Sequence, residues 1–238
     1  MKKVLEKRSA AFPAALVLLL VFVLNACSGP SYRVVADIDW PDIVVTPDAL
    51  YTALDHGVLR DPDTVTEEIA FTVEQKLYDH IEDPDYRAKP GDAAFLDKGT
   101  KLYRVDGFDP QDLMAAPSEQ HIGGYRLYAK ESFDALPSQD LDRILQDRPA
   151  SIDVYPAGSP DPLRETSGAE AAEFAGLLSS PIRETKPGAV AGKTPIDYQI
   201  VPDNGEPILY AFWLADDGAV RLKEGWVLDG AIRKFLNP

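Results

Sequence analysis

Apolar and polar positions fall into runs of changing period along this chain. The longest apolar run covers residues 10–24 and is broken only by Pro13. Lys2, Lys3, Lys7 and Arg8 stand ahead of it. Positive charge before a short apolar core is the pattern of a secretion signal. The run falls short of the roughly 20 apolar residues that a membrane-spanning helix needs.

Downstream, the periods are those of short strands and a few helices. Strands are expected over 33–38 and 43–45. A helix is predicted over 63–81, because Val65, Ile69, Val73, Leu77 and Ile81 recur every four residues. Asp63 or Thr64 would cap it, Glu67 and Glu68 would complement its dipole, and Asp83-Pro84 would stop it. Strands follow over 101–105 and 126–129, separated by a polar stretch, 106–120, that reads as loop. A second helix is expected from Ser138, burying Leu141, Ile144 and Leu145. A strand over 151–155 leads into a linker-like run, 157–167, containing Pro160 and Pro162.

A third helix is predicted over 168–178, with Ala171, Phe174, Leu177 and Leu178 inward. The strand over 196–201 ends in a turn at Asp203-Asn204-Gly205. Residues 208–214 are apolar on both faces, as in a strand inside a sheet. Asp216-Asp217-Gly218 then makes a hairpin from which Val220 and Leu222 return. Trp226-Val227-Leu228 adds a last strand. These elements predict an α+β fold with a largely antiparallel sheet and a few short helices. They divide the exported part into an α+β region, 32–156, and a helix-plus-hairpin region, 168–238, packed on it.

The cysteine content adds an address. The chain has one cysteine, Cys27, so no intramolecular disulfide is available. It closes the sequence Leu24-Asn25-Ala26-Cys27 at the end of the basic-then-apolar leader. This segment resembles the lipobox of bacterial lipoproteins. The resemblance implies diacylglycerol transfer to the Cys27 thiol and cleavage after Ala26. Residues 1–26 would then be a signal peptide, 27–31 a lipidated tether, and the rest an extracytoplasmic domain held on the cell membrane by acyl chains. The phrases Leu102-Tyr103-Arg104-Val105-Asp106-Gly107-Phe108 and Gly124-Tyr125-Arg126-Leu127-Tyr128 also resemble exported lipoproteins of Gram-positive bacteria that have no assigned activity. That likeness implies no chemistry.

Charge narrows the partners. The part after residue 26 is 212 residues long and carries 20 of the 24 basic and 38 of the 39 acidic residues, a formal charge of −18. Such a surface repels phosphate backbones, so nucleic acid is not an expected partner. It also repels anionic lipid, which leaves membrane attachment to the acyl chains.

Catalytic signatures are missing from the sequence. There is no Gly-x-Ser-x-Gly elbow, and Lys98-Gly99-Thr100 lacks the upstream glycine of a phosphate loop. His56, His80 and His121 are far apart in sequence and form no zinc motif. Asp37, Asp39 and Asp42, or Asp83 and Asp85, offer oxygens, but not in the order of a calcium loop. No catalytic residue, metal site or cofactor is therefore assigned; Cys27 is the one site residue. Trp40 and Trp226 stand beside turn residues, where an exposed indole would stack on sugar or peptide, although most tryptophans fill cores. The reading is a cell-surface lipoprotein without catalysis that binds an envelope protein or a small envelope ligand. Its alternatives are a solute- or metal-binding lipoprotein of a transport system and a cell-wall-directed hydrolase.

Overall fold

A computed structural model describes residues 39–78, 81, 83, 85–109, 111–183, 194–222 and 226–237. All but Asp83 belong to one unit, Ile38–Ile81 with Asp85–Pro238. The leader, Cys27, the tether, the strand expected over 33–38 and His80 lie outside the described residues.

The architecture is sheet-rich, with antiparallel sheets and a few short helices. The first half contributes β1 (Ile43–Val45), β2 (Leu50–Ala53), β3 (Gly57–Leu59), β4 (Val65–Thr72), β5 (Gln75–Lys76), β6 (Asp92–Ala93), β7 (Lys101–Val105), β8 (Leu113–Pro117) and β9 (Tyr125–Lys130). Helix α1 (Leu141–Gln146) leads to β10 (Ser151–Pro156) and β11 (Arg164–Ser167), followed by helix α2 (Gly168–Leu178). The chain ends with β12 (Ile182–Arg183), β13 (Ile196–Asp203), β14 (Ile208–Tyr210), β15 (Phe212–Asp216), β16 (Val220–Arg221), β17 (Trp226–Val227) and α3 (Arg233–Leu236).

Eight strands form the first sheet in the order β4-β7-β8-β9-β2-β1-β6-β5, antiparallel except for the β5–β6 pair. Seven form the second, β11-β10-β13-β15-β16-β17-β12, antiparallel throughout. β14 and β3 pair with each other and so join residues 208–210 to residues 57–59.

Period-two alternation gives the second sheet a face on the main core and an opposite, mixed face. Ile152, Val154, Tyr198, Ile200, Phe212 and Leu214 enter the main core. They meet Leu141, Ile144 and Leu145 of α1, and Phe174, Ala175 and Leu178 of α2. Leu113, Ala115 and Leu127 from the first sheet join the same core. Phe174 stacks on Phe235 of α3 with ring centroids 4.4 Å apart. The alternate residues of the second sheet, including Asp153, Gln199 and Trp213, occupy the opposite face.

Several expectations are corrected. Residues 65–72 are strand β4, not helix, and β5 follows at 75–76. A four-residue recurrence is also a multiple of the strand period of two, and Val65, Thr66, Ile69, Phe71 and Thr72 are strand formers. Register shifts between Val65 and Phe71 further obscure the alternation. The polar-looking stretch 106–120 contains β8, the strand between β7 and β9. Its Leu113, Met114, Ala115 and Ala116 are buried on both faces, so the segment does not alternate.

Helix α2 occupies the residues expected for it, and strands β7, β9, β10 and β13 match their predicted positions within a few residues. The apolar run 208–214 divides at Ala211. β14 pairs with β3, while β15 lies inside the seven-stranded sheet. The run expected as linker, 157–167, ends in the edge strand β11.

Candidate functional site

A cleft of about 250 Å³ opens between the loops at Asp55–Gly57 and Gln120–Ile122 and the mixed face of the second sheet. Its floor includes Val58, Ile122 and Ala211, which belong to a small apolar cluster with Tyr155, Val201 and Leu209. The sheet side presents Gln199 and Trp213, which lie directly opposite each other on β13 and β15. Trp213 is 44% exposed, a large fraction for an indole.

A tight turn presents His56 at the rim. Its backbone closes where the Gly57 N–H donates to the Leu54 carbonyl at 3.1 Å. His56 has φ 68°, the left-handed region that costs an L-residue about 1 kcal/mol or more. A Cβ on Gly57 would lie 2.8 Å from the Leu54 Cβ, so glycine is required beside it. The His56 carbonyl accepts from the Ala211 N–H at 2.8 Å, which holds the turn against the second sheet. The imidazole meets Trp213 nearly perpendicularly, with centroids 6.2 Å apart.

The opposite wall is the β8–β9 connection. Gly123 and Gly124, both with φ near 77°, let it fold back, and the Ser118 N–H donates to the Gly124 carbonyl at 2.8 Å. This places His121 over Arg126 of β9. Arg126 donates through Nη1 to His121 Nε2 at 2.6 Å and through Nε to Asp42 Oδ2 at 2.6 Å. Its Nη2 reaches Asp55 at 3.4 Å. Tyr128, two residues further along the same face of β9, donates to Asp42 Oδ1 at 3.0 Å. Both Asp42 oxygens are thus engaged by protein donors.

The remaining nitrogen, His121 Nδ1, lies 2.6 Å from Ser118 Oγ. A Ser–His contact of that length invites a nucleophile–base reading. Arg126 decides against it. A guanidinium only donates, so Nε2 must accept and the ring proton must reside on Nδ1. His121 therefore donates to Ser118 and has no lone pair left to take its proton. Burial first, and then the Arg126 charge, pushes the His121 pKa below its ordinary value, with Asp42 opposing. The ring is held neutral in this tautomer.

A second electrostatic feature lies on the same sheet face. Asp153 of β10 is directly opposite Glu165 of β11. Burial first, then repulsion from Glu165 and Asp203, pushes the Asp153 pKa up to about 6. Asp203 is engaged by Arg60 at 2.9 Å.

The structure brings together two of the three histidines that the sequence keeps apart: His56 and His121 line one cleft. Among the described residues no three His, Cys, Asp or Glu side chains gather into a possible metal-ligand group. Of the two tryptophans singled out from the sequence, Trp40 is half-buried against Tyr86. Trp226 is 40% exposed in a separate hollow with Asp140 and Leu222. The indole in the central cleft is Trp213, masked in the sequence by its place in an unbroken apolar run. Asp55, Gln199 and Arg126 carry no sequence signal either. No helix among the described residues is long and apolar enough to cross a membrane.

Comparison of the chain with protein-family models, curated proteins and solved structures returns no match.

Proposed function

We propose that this is a lipid-anchored extracytoplasmic protein that uses the Trp213 cleft to bind a small envelope ligand without transforming it. The leader and the Leu24-Asn25-Ala26-Cys27 segment support the address. On this reading Cys27 carries the acyl chains, and the domain faces away from the cytoplasm at the membrane surface.

The observation that carries the binding role is the wiring of His121. The cleft combines an exposed indole with convergent polar groups, as binding pockets do. The Ser118–His121 pair is committed to structure, because Arg126 occupies the base's lone pair. A serine hydrolase would need that lone pair facing the nucleophile.

The test is a thermal-shift series on the full chain in detergent, with divalent cations, sugars, short peptides and cell-wall fragments, compared with Trp213→Ala. A concentration-dependent rise in Tm that disappears in the variant, with the ligand recovered unchanged by mass spectrometry, supports the reading. Conversion of the ligand, or a series with no Trp213-dependent shift, contradicts it.

A further inference from the structure

The chemistry of the cleft wall selects among ligand classes. Charge comes first. Among the described lining residues Arg126 is the only lysine or arginine, and it is already bound to Asp42 and faces Asp55. The three together carry one net negative charge within a chain of net charge −15. A phosphate or carboxylate would therefore have to displace Asp42 or Asp55 from the guanidinium, against the field of the whole molecule.

A cationic ligand is disfavoured for a different reason. Recognition of an ammonium group uses several aromatic faces arranged as a cage. Among the described lining residues Trp213 carries the only benzenoid ring, so an ammonium group would meet one aromatic face and no cage.

What remains is a neutral group with many hydroxyls. The wall mixes donors and acceptors: Arg126 Nη, the amides of Gln120 and Gln199, the His56 ring and the Asp55 carboxylate. These surround one flat apolar surface, Trp213, whose orientation is braced by the perpendicular His56 ring. A pyranose has both complements, a C–H face that packs on an indole and a rim of hydroxyls that both donate and accept. The size agrees. About 250 Å³, below the roughly 300–1,000 Å³ of pockets for drug-sized ligands, accommodates one ring.

We infer that the cleft takes a single neutral sugar ring, free or at the end of an envelope glycan, with Trp213 as its stacking platform and Gln199 and Asp55 as hydroxyl partners. This rests on the binding role proposed above and specifies its ligand class. Strand register places Gln199 directly opposite Trp213. A ring lying on the indole would thus present its edge to the amide. The left-handed backbone at His56 has a use on this account: it turns the Asp55–His56 pair over the cleft mouth.

The experiment uses full-length protein in a detergent without a sugar headgroup. Glucose, galactose and N-acetylglucosamine are the neutral probes; glucuronate and glucosamine are their charged counterparts. Binding is read by saturation-transfer NMR and by tryptophan fluorescence. At least one neutral probe should bind saturably, and more tightly than both charged ones. Trp213→Ala should weaken it about tenfold, the order of a lost aromatic contact. Gln199→Ala should weaken it several-fold, and circular dichroism checks that both variants are folded. Preference for a charged probe, equal affinity in Trp213→Ala, or no binding by any neutral probe overturns the inference. If another ligand class then gives a Trp213-dependent thermal shift, the binding role survives and only the sugar assignment fails.

Discussion

Arg126 Nη1 donates to His121 Nε2 at 2.6 Å, and that bond fixes what the neighbouring Ser118 can do. With Nε2 occupied, Nδ1 carries the proton and donates a hydrogen bond to Ser118 Oγ. A pair that looks like a nucleophile and its base is in this protein a structural hinge. It joins the β8–β9 connection to Asp42 at the start of β1.

The same network sets the stability cost of losing Arg126. Its side chain is 23% exposed and that of Asp42 is 15% exposed. Removing the guanidinium leaves Asp42 with Tyr128 alone as its polar partner in this network. Arg126→Met should destabilise the fold by about 2–3 kcal/mol, at the lower end for a broken buried ion pair because the site is partly open to water. Urea unfolding measures this, and Asp42→Asn combined with Arg126→Met should recover part of the loss. A loss below about 0.5 kcal/mol would mean that the pair behaves as a surface ion pair.

Asp153 and His121 give opposite pH dependences. The Asp153 pKa in the fold is raised to about 6 from an ordinary 3.8. The folded state therefore holds the proton more tightly between those values. The contribution is fully present below about pH 4 and is lost as pH rises through about 6. His121 is depressed below 6.5. Its contribution is present above that value and is lost as pH falls towards its folded pKa. Asp153→Asn should remove the first dependence. After discounting for partial exposure, it should gain about 1 kcal/mol at pH 7.5. Near pH 4 it should match the parent. Equal stability increments at both pH values would show that Asp153 titrates normally.

His56 separates stability from binding. Its left-handed backbone suits glycine better than histidine. His56→Gly should leave stability unchanged or raise it by about 0.5 kcal/mol, while weakening ligand binding by removing the brace on Trp213. Parallel thermal melts and sugar titrations check this. Lower stability together with unchanged affinity would assign His56 a purely structural role.

Several elements were legible because local signals agreed. The third predicted helix and the hairpin at Asp216–Gly218 combine apolar period with turn chemistry, and both stand where expected. Residues 63–81 misled because every fourth position satisfies two periods at once, and only pairing with β7 settles the choice. β8 was hidden because an interior strand of small apolar residues does not alternate. The cleft was the least legible part. Asp42, Asp55, His121 and Arg126 meet only through the register of β9 against β2 and β8 and the fold-back of the β8–β9 connection. Trp213 read as one more core residue, because nothing local shows which face of β15 remains open.

The address has its own test. Cys27→Ser removes the thiol that the lipobox reading acylates. In cells, the variant should remain unprocessed or leave the membrane fraction, whereas the parent should partition into detergent and carry the mass of a lipidated N-terminus. Cleavage of the variant with continued membrane partition would show that another feature holds the protein there.

The proposal that the cleft binds without catalysing depends most directly on the protonation of one ring. Nitrogen-15 chemical shifts of His121 at neutral pH, assigned with His121→Asn, report that state at each nitrogen. The Arg126 bond predicts a neutral ring with Nδ1 protonated and Nε2 unprotonated, and a titration shifted below the ordinary histidine value. A proton on Nε2, leaving Nδ1 free to accept from Ser118, would contradict it and return the Ser118–His121 pair to the candidates for catalysis.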